Sequence, residues 1–223
     1  MSGPPGPPDW LAAVLAALTE GHEPATPPGW RRRVDVELDR LASRVPFRVV
    51  YDWHARVLAS TPGGDAGRLV GELHRRALAG DRPGAHEWHA ALRPALRELY
   101  RAAYPYAEAR AVAYANADAY ARANGYGPDE ATGFAAHYAD LSTGANAEAF
   151  ADANAIANAD ALAPALARAD GPAYAEAYPA ALVRAYALAA ANRAGTAGAA
   201  RVLRAAYERL AEALAESLRD VSD

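Results

Sequence analysis

Alanine occupies every second position over two long stretches of the chain, a pattern that few folds can accommodate. Every odd-numbered residue is Ala over residues 107–123, and again over residues 145–169. A period of two is typical of β-strands, but the positions between the alanines include Asn116, Asp118, Asn154, Asn158 and Asp160, residue types that are depleted in strands. Because Ala has the highest helix propensity of all residues, both stretches are predicted to be helices.

Helices of this composition carry small side chains on all sides, so other helices can approach them at the short end of the usual range of about 8 to 10 Å. We therefore expect both helices to lie in the interior and to be more buried than the helices before Pro94. Ala153, Ala157 and Ala161 should then be closed off from solvent. The first helix has a tyrosine face, whereas polar and apolar residues scatter around the axis of the second.

The residues between the two stretches predict where one helix ends and the next begins. Gly125 ends the first Ala-rich helix and Pro128 begins a further one. Gly144 precedes the second stretch, and Ser142 or Thr143 is the candidate N-cap of a separate helix. The pentapeptide Ala-Asn-Ala-Asp-Ala occurs twice at an offset of 42 residues, which fits either a duplicated helical pair or coincidence in a low-complexity stretch.

Helix signals continue through the rest of the chain. Capping and stop residues such as Asp65 and Gly80 bound segments whose apolar residues lie three and four positions apart. These signals predict an all-α fold, a single-domain bundle of about eight to ten helices over residues 30–223 with the Ala-rich helices at its centre. The last helix shows the clearest apolar stripe, formed by Leu203, Tyr207, Leu210, Leu214, Leu218 and Val221.

Proline dominates the first 29 residues, in one group near the start and another just before residue 29. Since Pro removes a backbone donor and restricts the residue before it, residues 1–29 are predicted to form a flexible segment. One short helix, Asp9–Glu20, interrupts this segment, with Asp9 as its cap and Gly21 as its stop. We expect this helix to pack loosely or to dock onto a partner.

Composition excludes several classes of protein. The chain has no cysteine, which rules out a disulfide scaffold, a thiolate zinc site, an iron–sulfur cluster and a cysteine nucleophile. The longest apolar run near the N-terminus, residues 10–18, has no basic segment before it. That run is too short for a membrane span and lacks the flanks of a secretory signal, so a cytoplasmic protein without membrane contact is expected.

Charge is unevenly distributed along the chain, whose net formal charge is −4. Residues 106–171 contain three Arg and nine acidic residues, whereas the segments on either side are close to neutral. An acidic centre argues against a nucleic-acid partner, which needs a basic face. The basic run at residues 31–33 is followed by Asp35, Glu37 and Asp39, so it is interpreted as the solvated start of a helix.

Metal-binding and catalytic motifs are incomplete. His86 and His89 lie one helical turn apart, and Glu130 and His137 two turns apart, but a metal site needs three or four converging ligands. The chain has no Gly-rich phosphate loop, no nucleophile elbow and no paired aspartate-rich motif. The sequence therefore predicts no metal, identifies no cofactor and leaves open whether the protein is an enzyme.

Polar residues of the Ala-rich helices are the candidates for ligand binding. Inward Tyr, Asn and Asp side chains on rigid helices can orient a polar ligand, and a carboxylate in an apolar pocket is suited to proton transfer. Such a pocket requires Asp118 and Asp160 to face a common cavity; otherwise these side chains bond between helices or to water. The candidate lining residues are Tyr114, Asn116, Asp118 and Tyr120 on one wall and Asn154, Asn158 and Asp160 on the other.

These features lead to two alternative functions. The first is a non-catalytic helical interaction or scaffold protein that self-associates or binds a protein partner through its Ala-rich or C-terminal helices. Small-residue surfaces, the final apolar stripe and the lack of a complete catalytic motif favour it. The alternative is a small-molecule-binding protein or acid/base enzyme that uses the Tyr, Asn and Asp pocket.

Overall fold

The computed structural model describes residues 6–21, 29–61, 64–104, 106–195 and 197–221. Over these residues the chain forms ten helices and no strand, which confirms the predicted all-α, multi-helix fold. In chain order the helices are α1 (Asp9–Glu20), α2 (Gly29–Arg40), α3 (Arg48–Ser60), α4 (Asp65–Leu78), α5 (Ala85–Ala103), α6 (Tyr106–Ala123), α7 (Pro128–Arg168), α8 (Gly171–Glu176), α9 (Pro179–Arg193) and α10 (Ala199–Arg219).

The body of the protein is assembled around α9 and α10. α10 packs against α2, α3 and α9, and its predicted apolar stripe is buried at Tyr207, Leu210, Leu214 and Leu218. α5 packs against α4, α7 and α9, so it joins this core to the long helix α7. Burial of Leu, Val and Trp side chains from these helices is the main favourable contribution to folding.

Hydrogen bonds from side chains satisfy the open ends of two helices. Arg40 on α2 donates to the carbonyl oxygen of Leu218 at the end of α10, at 2.9 Å. Asn192 on α9 donates through Nδ2 to the carbonyl oxygens of Ala102 and Ala103 at the end of α5, both at 3.0 Å. Because the last carbonyls of a helix have no partner within it, these bonds also fix how the helices are placed relative to each other.

α1 belongs to the core of the protein. Trp10 and Leu18 are buried together with most of the apolar residues between them, and the helix packs against α8, α9 and α10. Its predicted bounds are correct, but Pro8 rather than Asp9 occupies the N-cap position, and Asp9 is the first residue of the helix. The expectation of loose packing is also wrong, because the apolar residues of α1 form one broad face that the body covers. The Pro-rich residues 1–5 and 22–28, predicted to be flexible, lie outside the described residues.

α7 runs without a break for 41 residues, a length of about 60 Å. The predicted start of a separate helix with Ser142 or Thr143 as its cap is therefore wrong. Ser142 instead donates to the carbonyl oxygen of Tyr138 one turn earlier, and Gly144 has a helical backbone. The helix propensity of the surrounding alanines outweighs the cost of one Gly, which is about 1 kcal/mol.

Burial along α7 follows one stripe rather than all sides of the helix. Ala155 and Ala159 are buried, whereas Ala153 and Ala157 are exposed and Ala161 is half-buried. The prediction that the Ala-rich helices are interior, and more buried than the first helices of the chain, is thus wrong. Small side chains permit close approach of a neighbour, but a helix face is buried only where a neighbour is present.

α7 ends in a Schellman turn at Ala169, whose φ is 53° and ψ 42°. The amide of Asp170 donates to the carbonyl oxygen of Ala165 at 2.9 Å, which closes the turn. This left-handed conformation costs a residue with a Cβ about 1 to 2 kcal/mol, and Gly avoids most of that cost.

We expect Ala169→Gly to raise the free energy of unfolding by about 0.5 to 1 kcal/mol, measured by urea denaturation. Ala167→Gly, inside the last turns of the same helix, is the control and should lower it by about 1 kcal/mol. Destabilisation by both substitutions would contradict a strained left-handed residue at the end of α7.

Candidate functional site

α6 and the N-terminal half of α7 form an antiparallel helical hairpin, joined by a turn at residues 124–127. Gly125 in this turn has a φ of 83°, a conformation that favours Gly. Among the described helices, α7 is the one with which α6 makes extensive contact. The α6–α7 hairpin therefore projects from the body.

Alanines form the seam between the two helices of this hairpin. Ala117 and Ala121 of α6 and Ala131, Ala135 and Ala139 of α7 are buried there. Their spacing of four places them on one face of each helix, and their small size permits close packing. Each alanine buries little apolar area, however, so the seam contributes little to the stability of the hairpin.

Aromatic side chains cover an exposed side of the hairpin near its tip. Phe134 contacts Tyr120, Tyr126 and Tyr138, whose ring centroids lie 6.3, 5.6 and 6.0 Å from that of Phe134. Leu141, two turns beyond Phe134 on the same face of α7, is 65% exposed. We call these five residues the outer aromatic face. Contiguous exposed apolar surface of this kind is typical of interaction sites.

Charged residues beside this face pair with one another inside the hairpin. The Nε of Arg110 on α6 lies 2.6 Å from Oδ1 of Asp140 on α7. The Nε of Arg122 lies 2.7 Å from Oδ2 of Asp118, one turn earlier on α6. Both arginines of the hairpin are thus paired, and none of the five residues of the outer aromatic face is charged.

The structure does not bring the predicted ligand-binding residues together. Asp118 lies on α6 beside the first half of α7, whereas Asp160 lies near the end of α7, about 40 Å away along the helix axis. The predicted common pocket is not formed, because α6 packs against the half of α7 that lacks the second set. The separated sets are Tyr114, Asn116, Asp118 and Tyr120 on α6, and Asn154, Asn158 and Asp160 on α7.

Residues of the second set bond locally. Asn154 and Asn158 each donate to a carbonyl oxygen one turn earlier in α7, at 2.8 and 2.9 Å. Oδ1 of Asp160 lies 3.0 Å from Nε2 of His89 on α5. The four residues of the first set are half-buried or exposed. Both sets thus bond within a helix, link neighbouring helices or face water.

In the part of the chain that the structure describes, no three His, Asp or Glu side chains converge on a point that could hold a metal ion. His86 and His137 are exposed, and His89 is engaged with α7 as described. Oε2 of Glu130 accepts a hydrogen bond from the amide of Gly127 at 3.3 Å. The His and Glu pairs considered in the sequence therefore occupy surface, bridging and capping positions.

Two histidines that no sequence motif marks are buried in the core. His54 on α3 and His74 on α4 stack, with ring centroids 5.0 Å apart and an angle of 15° between the ring planes. Nε2 of His54 lies 2.6 Å from the hydroxyl of Tyr174 on α8. His74 packs edge-on against Trp88 on α5, at 4.8 Å between ring centroids. This aromatic cluster joins four helices of the body.

Burial keeps both imidazoles uncharged. Desolvation lowers the pKa of His54 to about 4. It also lowers the pKa of His74 well below its usual range, and the neighbouring His54 adds to that effect. Desolvation raises the pKa of the Tyr174 hydroxyl, so the hydrogen bond to His54 joins two neutral groups. The cluster is a neutral part of the core, closed to solvent, rather than an accessible acid–base site.

Comparison with known proteins gives no relative from which a function could be transferred. No family model, curated protein or solved structure matches the chain at a significant level. Along the described residues, no helix combines the length and the apolar character that crossing a membrane requires. Function has to be inferred from the surfaces and cavities of this chain.

Proposed function

We propose that the protein is a non-catalytic helical interaction protein that self-associates through the α6–α7 hairpin. The observation that carries this proposal is the outer aromatic face, where Tyr120, Tyr138 and Leu141 are largely exposed. Around a two-fold axis the same face of each copy would cover the other, as in most homodimers.

The uncharged character of this face suits a second copy as its occupant. The five residues of the face carry no charge, so two copies can place them against each other without burying a charged group, and Arg110 and Arg122 beside the face are each paired with an aspartate. Tyr and Phe are enriched in the cores of protein interfaces, and charged residues are depleted there. A strongly acidic or basic partner would find no complementary patch among the five residues of the face.

The weak alanine seam is a second reason for a covering partner. Short helices are marginally stable in water, and most of their stability in proteins comes from packing of an apolar face. In a dimer, two hairpins would form a four-helix arrangement with the outer aromatic faces in its core. Each hairpin would then obtain from its partner the apolar burial that the seam alone does not supply.

Leu141→Glu tests the proposal at the end of the outer aromatic face that lies towards the body. In a two-fold interface it places two unpaired charges in an apolar contact, so we expect the dimer Kd to rise about 100-fold or more. Leu69→Glu on α4 is the matched control, because Leu69 is 60% exposed and Leu141 65%. Sedimentation velocity over a concentration series measures the Kd of the three proteins.

Two results would contradict self-association through the hairpin. One is a wild-type protein that stays monomeric throughout the micromolar range. The other is a dimer that Leu141→Glu and Leu69→Glu weaken equally, which would place the contact on another surface. Circular dichroism and thermal unfolding of each variant establish that it is folded, so a lost dimer cannot be attributed to a lost fold.

A further inference from the structure

A cleft of about 470 Å³ opens between α3, α4, α5 and α9. It continues into a hollow of about 190 Å³ between α3, α9 and α10, and the two share Thr61, Tyr186 and Arg193. The larger volume falls within the range of about 300 to 1,000 Å³ that small-molecule sites occupy. These helices are not those of the hairpin, so a role for the cleft is independent of self-association.

The floor of this cleft is apolar. Leu58 of α3, Val70 of α4 and Leu92, Leu96 and Leu99 of α5 line it. A hydrocarbon chain placed on these side chains would remove apolar surface from water on both partners. The space is left open by small neighbours, namely Ala55, Ala59, Gly71 and Ala95.

Arginines dominate the rim. Arg68, Arg75 and Arg193 border the cleft, and Arg209 borders the hollow that continues from it. Glu98 is the one carboxylate among the residues that line the two spaces, in the part of the chain that the structure describes. The rim therefore favours an anionic group over a cationic one.

Two of these arginines are available to a ligand. Arg68 pairs with Asp65, and Arg75 with Glu72, within α4. Arg193 and Arg209 are exposed, and neither forms an ion pair or a hydrogen bond with another described residue. The carboxylate of Glu98 lies close to Gly64, before the start of α4. An anion at the junction of cleft and hollow would thus meet arginine charge that no ion pair offsets.

Tyr186 also lines both spaces at that junction, two turns before Arg193 on α9. Burial raises the pKa of Tyr186, with a smaller contribution from the neighbouring Tyr100, so its buried hydroxyl stays protonated and uncharged. Arg193 is therefore the charged group at the junction, and a guanidinium suits the recognition of a carboxylate or a similar anion.

We propose that this cleft binds an amphipathic monoanion, a hydrocarbon chain that ends in a single carboxylate or comparable head group. The hydrocarbon chain occupies the leucine-lined floor, and the head group lies at Arg193, within the field of Arg209. A purely apolar molecule would leave the arginines unused, and a compact polyanion would leave the apolar floor exposed to water.

Three probes distinguish the contribution of the hydrocarbon chain from that of the negative charge, namely decanoate, decanol and butyrate. Each is titrated into the protein by isothermal calorimetry below the concentration at which the probe self-associates. We expect one saturable site for decanoate on the full-length protein. Decanol lacks the charge and butyrate lacks most of the chain, so each should bind about tenfold more weakly or worse.

Two variants test the two ends of the site. Arg193→Glu should weaken decanoate binding about tenfold or more and leave decanol binding unchanged. Ala59→Phe should weaken both, because Ala59 is exposed at the edge of the cleft and a larger side chain there fills the space without disturbing the core. Arg201→Glu, at an exposed arginine outside both spaces, is the matched control and should leave decanoate affinity unchanged.

Absence of decanoate binding by the wild-type protein would overturn the proposal, as would binding that survives Ala59→Phe. Equal losses from Arg193→Glu and Arg201→Glu would also overturn it, because they would indicate attraction to overall charge rather than to this rim. Sedimentation of the same variants keeps the result separate from self-association, since neither arginine lies on the hairpin.

Discussion

As the pH falls from about 7 towards 4, the free energy of unfolding should drop by several kcal/mol because of His54 and His74. In the unfolded chain an imidazole has a pKa near 6.5, whereas burial lowers the pKa of His54 in the folded protein to about 4 and that of His74 well below 6.5. Below pH 6.5 the unfolded state therefore binds more protons than the folded state, and the free energy of unfolding decreases. Above pH 6.5 the contribution of the buried imidazoles to this free energy is complete. The contribution of His54 alone is about 3 kcal/mol.

His74→Leu separates this effect from the titration of carboxylates. Leu keeps an apolar side chain in the cluster and removes Nδ1, which has no hydrogen-bond partner among the described residues. Between about pH 6 and pH 5, the slope of unfolding free energy against pH should fall by about 1.4 kcal/mol per pH unit, the value for one proton. Urea denaturation at a series of pH values measures it.

His137→Leu, at an exposed histidine on α7, is the control for that experiment and should keep the wild-type slope. A wild-type slope in His74→Leu would contradict a neutral, buried imidazole at position 74. Equal changes of slope in the two variants would assign the pH dependence to histidine content in general rather than to the core cluster.

Gly21→Ala should lower the free energy of unfolding by about 3 kcal/mol, the upper end of the usual cost of overpacking. A Cβ at this position would lie 2.3 Å from Cγ and Cδ2 of Tyr207 and 2.7 Å from its Cβ. Tyr207 is buried on α10, and its own Cβ cannot move without the helix, so the end of α1 and α10 would have to separate. The φ of Gly21 is −74°, which any residue adopts, so the effect is steric.

Gly67→Ala is the matched control for Gly21→Ala. Gly67 lies inside α4, and a Cβ there would meet no atom within 4 Å. The same chemical change should therefore raise the free energy of unfolding by about 1 kcal/mol through helix propensity. Urea denaturation of both variants should show opposite signs. Stabilisation by Gly21→Ala would contradict the close contact between the end of α1 and α10.

Local sequence signals predicted the helices because helix formation depends on propensity and on the spacing of apolar residues. The bounds of α1 and the buried stripe of α10 follow from such signals. Such signals do not predict which face of an Ala-rich helix is buried, because Ala153 and Ala155 are chemically identical and differ only in whether a neighbouring helix is present. An Ala pattern that repeats every two residues also does not specify how two helices are aligned along their axes. The predicted alignment of Asp118 with Asp160 therefore had no physical support.

Part of the buried histidine cluster could have been predicted. His54 lies four residues after Val50 and three before Val57, which places it on the apolar face of α3. Its partner Tyr174 could not have been identified in the same way, because 120 residues separate the two in sequence. The cleft could not have been predicted from the sequence, since it is lined by small residues on helices that only the fold brings together.

Because α7 is unbroken, the length of the hairpin sets a fixed distance between the body and the tip of the hairpin. One helix belongs to both the body and the projecting part, so the tip cannot swing relative to the body without disrupting backbone hydrogen bonds. Two copies joined by antiparallel hairpins would hold their bodies about 30 Å apart. Seven more residues in each helix of the hairpin would add about 10 Å to that separation and keep the same face directed at the partner.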